Sequence, residues 1–349
     1  MKRILFVELL GGIGDLVIAL PAIHALGLSH PQAELTVLTF APGAELLATD
    51  PLVRRTLQAQ RGDEHQPGRP REALATLLGQ ERFDLIVSDT RYDGIDALIE
   101  ASGARTVTNL WRRPPADQRI AERFLDILLR EGVIEPWTAT LRPRLALGEH
   151  DYLWAASHLG GPKRKVLLHP HAGMPIKEWP EASVVSLARA LMDELSLQVV
   201  IPEGTGHERA NAGRLASALG GRALLLPHAP LRQFAAAASY CDLAVGPDTG
   251  PMRIAAAAGA QAVTLFGPSW HGRYGQRPPH INLQGHPACP ERDVADFTRQ
   301  RCWYAGRCPL APWRTCVEDI SVGDVLEAVA AALGGASWWG RHLHRTVSV

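Results

Sequence analysis

The string Glu8-Leu9-Leu10-Gly11-Gly12-Ile13-Gly14-Asp15 joins a glycine-rich turn to a carboxylate directly after an apolar run. A turn of this kind at a helix N-terminus offers backbone N–H groups to an anion, and Gly12 and Gly14 give the chain room to make it. The string does not complete a dinucleotide fingerprint: Val17 stands where the third glycine belongs, and Asp15 puts negative charge where a pyrophosphate would lie. Nicotinamide binding is therefore disfavoured. Asp15 has two readings, a cap for the helix that follows or a general base facing a cleft.

Two more strings carry chemistry. In His169-Pro170-His171-Ala172-Gly173-Met174-Pro175-Ile176-Lys177-Glu178-Trp179-Pro180, Lys177 is placed to neutralise a diphosphate as a point charge, and Trp179-Pro180 starts the next helix. His169 and His171 alternate, yet no third ligand lies near them, so packing or hydrogen bonding outranks a metal. In Asp248-Thr249-Gly250-Pro251-Met252-Arg253, a proline in the first helical turn aims backbone N–H groups and a hydroxyl at one point, and Arg253 adds a bidentate clamp one turn along. Phosphate suits both strings.

The elements that must hold these strings alternate between short β-branched runs and apolar-periodic helices. Arg3 to Leu9, Glu34 to Thr39 and Phe83 to Ser88 read as strands of a first parallel sheet. Val166 to His169, Gln198 to Ile201, Ala223 to Leu226, Asp242 to Val245 and Ala262 to Phe266 read as strands of a second. Gly160-Gly161-Pro162 followed by Lys163-Arg164-Lys165 reads as a hinge between them. The expected fold is α/β, with Rossmann-like domains at 1–158 and 159–320 and a C-terminal helix and tail at 321–349. From Pro268 to Ile320 the rhythm breaks into a Pro-, Arg-, Trp- and Cys-rich segment, which in a chain of 349 residues suggests function rather than a plain loop.

Bulk properties narrow the class. Hydrophobic residues are 46% and charged residues 21%, the balance of a folded protein, and a formal net charge of zero argues against a nucleic-acid footprint. Glu8 and Asp15 interrupt any signal-like hydrophobic run, and no stretch is apolar enough to span a bilayer. A cytoplasmic protein with at most peripheral membrane contact is expected. The basic tail that carries Trp338 and Trp339 reads as a frayed end first and an interfacial anchor second.

Taken together the strings resemble glycosyltransferase family nine, the ADP-heptose:lipopolysaccharide heptosyltransferases, over roughly Lys2 to Leu333. The match rests on Gly14-Asp15 with Leu20-Pro21-Ala22, on Lys177 with Trp179-Pro180, on Gly204 with Glu208, and on Asp248-Thr249-Gly250-Pro251. The resemblance implies a GT-B fold, two Rossmann-like domains facing across a cleft, and an inverting, metal-independent transfer from an ADP-linked or similar nucleotide sugar. It implies Asp15 as catalytic base, with Gly12 and Gly14 shaping its turn. Lys177, the backbone at Ala172 and Gly173, and Thr249, Gly250 and Pro251 would hold the diphosphate, with Glu208 on the ribose and Asp248 ordering the pocket. The acceptor would be a lipopolysaccharide core, another glycan or a lipid-linked glycan, reached at the inner face of the membrane.

The chain departs from the family pattern at Arg253, where histidine is usual, and at Ala172-Gly173, where hydroxyl residues are common. These departures favour, as alternatives, a different donor sugar or a small-molecule acceptor such as an aminoglycoside. A non-catalytic sugar-nucleotide or metal-binding protein of the same fold is a further alternative. Trp111, Arg112 and Arg113 are candidates to meet an anionic acceptor.

The cysteines at 289, 302, 308 and 316 lack any Cys-x-x-Cys pair. Structural thiols, reduced or disulfide-paired, rank first for Cys289, Cys302, Cys308 and Cys316, with zinc or an iron–sulfur cluster second. Cys241 reads as a small buried residue.

Overall fold

A computed structural model describes residues 1–60, 69–112, 114–294, 296–310 and 315–334. Arg113 and the Trp338-Trp339 tail lie outside the described residues. The chain divides into two compact units, Met1–Tyr152 with Pro230–Ala235, and Leu153–Ala229 with Ala236–Val349. The division falls inside the helix Glu149–Leu159 rather than at Gly160. The segment read as a hinge is tied down locally, since Lys165 Nζ donates to the carbonyls of Gly161 and Lys163.

The first unit holds a five-stranded parallel sheet built from β1 (Arg3–Val7), β2 (Glu34–Phe40), β3 (Arg55–Ala59), β4 (Leu85–Ser88) and β5 (Arg105–Val107), in the order β3-β2-β1-β4-β5. The central strands are apolar on both faces because helices cover both: Ile4, Leu5, Phe6 and Val7 are fully buried, as are Leu85, Ile86 and Val87. Leu5, Val7 and Ile86 pack with Leu74, Phe83 and Ile99 into one core.

The second unit holds a six-stranded parallel sheet of β6 (Lys165–Leu168), β7 (Gln198–Pro202), β8 (Leu224–Leu226), β9 (Leu243–Pro247), β10 (Gln261–Phe266) and β11 (Ile281–Gln284), ordered β11-β10-β9-β6-β7-β8. Its core joins Val166, Val199, Leu243 and Val263 to Leu187 and Leu191 of the helix Glu181–Asp193 and to Val325 and Val329 of the helix Val322–Ala332. That last helix is thus part of the second unit. Ser321 starts it: Ser321 Oγ accepts from Asp324 N at 3.1 Å, and Asp324 Oδ2 accepts from Ser321 N at 2.9 Å.

Strands β3, β5 and β11 have no counterpart among the runs expected from sequence. Each lies at a sheet edge, and Arg-Thr-Leu-Gln-Ala, Arg-Thr-Val and Ile-Asn-Leu-Gln mix polar with apolar residues because one side of an edge strand meets solvent.

In each sheet the chain winds outward in one direction, returns to the middle and winds the other way. The reversal lies between β1 and β4 in the first unit and between β6 and β9 in the second. Beyond the carboxyl ends of two such strands the following loops diverge and leave a crevice, where ligands of open α/β sheets bind.

Candidate active site

In the first unit the crevice is bounded by the loop after β1 and the loop after β4. Val7 pairs with Ser88, so Glu8 and Asp89 are the first residues past the paired strand ends. The turn from Leu9 to Gly12 is held by side chains: Glu8 Oε1 accepts from Leu10 N at 3.1 Å, Thr90 Oγ1 accepts from Leu9 N at 2.8 Å, and Tyr92 OH donates to Leu9 O at 2.6 Å. Helix α1 (Ile13–Ser29) follows with Gly12 as its N-cap.

Asp15 stands at the third position of α1, and its Oδ2 accepts from Gly12 N at 3.1 Å. The sequence suggests Asp15 itself as the cap. The carboxylate instead reaches back over Gly12, and a Cβ at position 12 would collide with it. A side chain at position 12 would have to displace that carboxylate from its bond to the Gly12 N–H. Asp15 is half-buried.

Glu8 and Asp89 are carboxyls that sequence reasoning missed. They are 1% and 2% exposed. Glu8 Oε2 accepts from Thr39 Oγ1 at 2.8 Å, and Asp89 Oδ1 accepts from Thr90 Oγ1 at 3.0 Å. Among the described residues Asp89 Oδ2 has no hydrogen-bond partner. Burial, opposed by the Thr39 bond and reinforced by the charge of Asp15, pushes Glu8 up to about 7. Burial beside Glu8 and Asp15 holds Asp89 well above the usual carboxylate range.

In the second unit the crevice holds an ion cluster. Asp248, just past β9, is buried, and its carboxylate accepts from Arg253 Nη2 at 2.6 Å, Ser269 Oγ at 2.6 Å and Lys177 Nζ at 3.3 Å. Lys177 also donates to the Asp248 carbonyl at 3.3 Å. Burial alone would raise the Asp248 carboxyl, but Lys177, Arg253 and Ser269 outweigh it and hold it below its ordinary value. Two cations and one anion leave a net positive charge facing the crevice. Ser269, on the loop after β10, is the member that the sequence did not reveal.

Thr249 is the N-cap of the helix Gly250–Ala257, with Pro251 in its first turn. Its hydroxyl donates to Pro247 O at 3.2 Å. The Ala172 N–H, expected to meet a phosphate, donates to Glu178 Oε1 at 3.2 Å, so an anion there competes with that carboxylate. Gly173 is exposed and open, with no atom where a Cβ would stand.

Glu208 repeats the device of Asp15. It is the third residue of the helix Gly206–Ala218, and its Oε2 accepts from Thr205 N at 3.4 Å. Gly204, with φ +60°, lies directly under the carboxylate. One oxygen of Glu208 is thus committed to the helix start. His171 faces Glu208 and Glu178. Burial lowers its pKa despite both carboxylates, and burial beside His171 brings His169 down to about 3, so these rings are neutral.

Trp303, on the short helix Arg301–Ala305, covers Lys177 with its ring centroid 5.1 Å from Nζ, and packs on Phe297 at 4.3 Å. The cysteine segment backs the same loop. Thr315 Oγ1 donates to Ile176 O, Trp179 Nε1 donates to Ile320 O at 3.0 Å, and Cys289, Cys302, Cys308 and Cys316 line one pocket with Ile176.

All five cysteines are free thiols, so the disulfide reading does not hold. Burial raises Cys302 and Cys316, the latter to about 11, with the neighbouring cysteines adding to it. Among the described residues no group of three or more His, Cys, Asp or Glu side chains is disposed to hold a metal ion. The four thiols of Cys289, Cys302, Cys308 and Cys316 share that one pocket and act on one another's charge.

Cys241 is buried and pushed up to about 12 by that burial. Trp111 packs edge-on against Phe124 at 6.1 Å, and Arg112 donates to Thr108 O and pairs with Glu131. Both have structural partners.

The model of glycosyltransferase family 9 (heptosyltransferase) matches residues 104–300, more than half of the chain. The chain belongs to that family. Among curated relatives, lipopolysaccharide heptosyltransferase 1 of Pseudomonas aeruginosa is 37% identical over 108 residues, a segment covering 30% of each protein. Lipopolysaccharide heptosyltransferase 3 of Escherichia coli is 23% identical over 291 residues, 74% of this chain and 82% of that one. Among solved structures, a family 9 glycosyltransferase from Veillonella parvula superposes with a TM-score of 0.77 at 18% identity, covering 96% of this chain and 98% of the other. An E. coli heptosyltransferase with ADP-2-deoxy-2-fluoro heptose gives 0.63 at 16% identity, covering 87% and 100%. At such identities the likeness shows the fold, which is GT-B. Family 9 membership makes the chain a glycosyltransferase. No helix among the described residues is long and apolar enough to cross a membrane.

Proposed function

We propose that this protein is an inverting glycosyltransferase that moves heptose or a related sugar from an ADP-linked donor to a hydroxyl of a lipopolysaccharide core or similar glycan, on the cytoplasmic face of the membrane. The observation that carries the reading is the Lys177–Asp248–Arg253 cluster at the β6/β9 crevice, a fixed positive field in the place where α/β sheets take phosphates. The heptosyltransferase relatives and the ADP-heptose analogue held by a protein of the same fold support the donor.

In this reading Asp15 removes the proton from the acceptor hydroxyl as its oxygen forms the bond to the anomeric carbon. The bond from that carbon to the diphosphate breaks, and its electron pair leaves on the diphosphate oxygen, where Lys177 and Arg253 stabilise the charge. Thr249, Gly250 and Pro251 frame the phosphates from a helix start, Ala172 and Gly173 from the loop after β6, and Glu208 takes the ribose. Gly12 and Gly14 leave the turn open to the acceptor. The lysine and arginine cations supply the field that a divalent ion supplies elsewhere, so no metal is assigned to the reaction.

The test is Asp15→Asn assayed with ADP-heptose and a lipopolysaccharide acceptor in the presence of a chelator. Wild-type turnover is expected to persist with chelator, and the variant to lose about 10²–10⁴-fold in kcat with ADP affinity unchanged. Full turnover in the variant would remove Asp15 from the mechanism.

A further inference from the structure

We propose that Glu8 is a positioning residue for Asp15, a buried carboxyl that both fixes the turn carrying Asp15 and responds to its charge, with Asp89 as the third member of the group. The inference rests on the reading of Asp15 as the base. It starts from an oddity of placement: two carboxyls lie almost fully buried at the β1/β4 crevice, and a transfer with Asp15 as its base uses neither.

Their partners are unequal. Glu8 receives hydrogen bonds on both oxygens, from Leu10 N and from Thr39 Oγ1. Through Leu10 it grips the chain two residues before Gly12, whose own N–H is gripped by Asp15. The same side chain thus anchors one end of a turn that Asp15 anchors at the other. Asp89 has one oxygen on Thr90 and one without a partner among the described residues, an arrangement that strongly disfavours a charge in a buried place.

The groups facing Glu8 are Asp15 from α1, Asp89 from the loop after β4 and Thr39 from β2, with Tyr92 closing the turn on Leu9. The charges that act on the two buried carboxyls are those of the group itself: Asp15 raises Glu8, and Glu8 and Asp15 raise Asp89. The half-buried member, lying in the first turn of α1, is the cheapest place for the negative charge. That is Asp15. Burial and the charge of Asp15 together favour the protonated form of Glu8, and when Asp15 takes the acceptor's proton the smaller, electrostatic part of that bias is removed while burial remains. Conversely, ionised Glu8 strengthens Asp15 as a base. The two titrate as a pair with macroscopic values.

Two measurements test this. In protein carrying ¹³C-labelled glutamate, the Glu8 side-chain carbon, assigned by its loss in Glu8→Gln, is followed through a pH titration in wild type and in Asp15→Asn. Glu8 is expected to titrate near neutrality in wild type and at clearly lower pH in the variant. A Glu8 titration in the ordinary glutamate range, or one indifferent to Asp15→Asn, overturns the proposal whether or not Asp15 is the base. The second is the pH profile of kcat/KM in Glu8→Gln, which keeps the size and the bond to Leu10 but cannot ionise. A step near neutrality present in wild type is expected to vanish, with a roughly tenfold lower rate at the alkaline plateau. An unchanged profile means that Glu8 only shapes the turn, which also overturns it. If Asp15→Asn retains turnover while the ¹³C coupling is found, the reading of the base has failed and the coupling stands.

Discussion

Asp248 stays ionised in a buried place because Lys177, Arg253 and Ser269 surround it, and each of these side chains is held in turn by Asp248. Asp248→Asn leaves two cations crowded without their counter-ion, and removal of one partner from a buried pair costs about 3–5 kcal/mol. The variant is expected to show a lower unfolding midpoint and weaker ADP binding, read by denaturant titration and calorimetry. Its pH dependence has a definite sign. The folded-state pKa of Asp248 is depressed, so its stabilisation is present above the ordinary aspartate value and lost as pH falls through the folded value. Wild type and Asp248→Asn should therefore converge in stability in strong acid. Glu8 acts oppositely: its pKa is raised, so its contribution is complete below about 4.5 and lost as pH rises through about 7.

At the scale of elements, the loops after β6 and β9 each carry their candidate residues in one short string, and the fold brings Lys177, Asp248 and Arg253 of those strings together. What the sequence hid are partners that only topology brings together. Ser269 meets Asp248 across 21 residues, and Trp303 meets Lys177 across more than a hundred. Glu8 looks like one more residue of a strand, and nothing local joins it to Asp89. The edge strands β3, β5 and β11 were equally hidden, since polar residues interrupt their apolar runs, whereas the edge strand β8 is three leucines and was legible. Trp303 also connects the cysteine segment to the donor side, because it lays an aromatic face on the lysine assigned to phosphate. Such a contact is worth roughly 0.5–2 kcal/mol, so Trp303→Ala should weaken ADP binding by a few-fold to about thirtyfold. Circular dichroism should stay unchanged, and equal affinity in the variant would detach the segment from the donor site.

For the whole molecule, two separately cored sheets each carry a crevice at the point where the strand order reverses, and the residues assigned to base and to phosphate fall on one crevice each. That correspondence was legible only in part: the parallel sheets follow from the alternation of runs, but the strand order that makes the crevices does not. The chain as a whole is electrically neutral, with 36 basic and 36 acidic side chains. The positive field of the Asp248 cluster is therefore local, and beyond a Debye length of about 10 Å in 0.1 M salt little of it remains to guide an approaching anion. Capture of the nucleotide sugar should then proceed at a rate almost indifferent to ionic strength, while its residence time shortens as salt is added. Stopped-flow binding separates the two, and a steep salt dependence of the association rate would mean that the donor is drawn in from a distance.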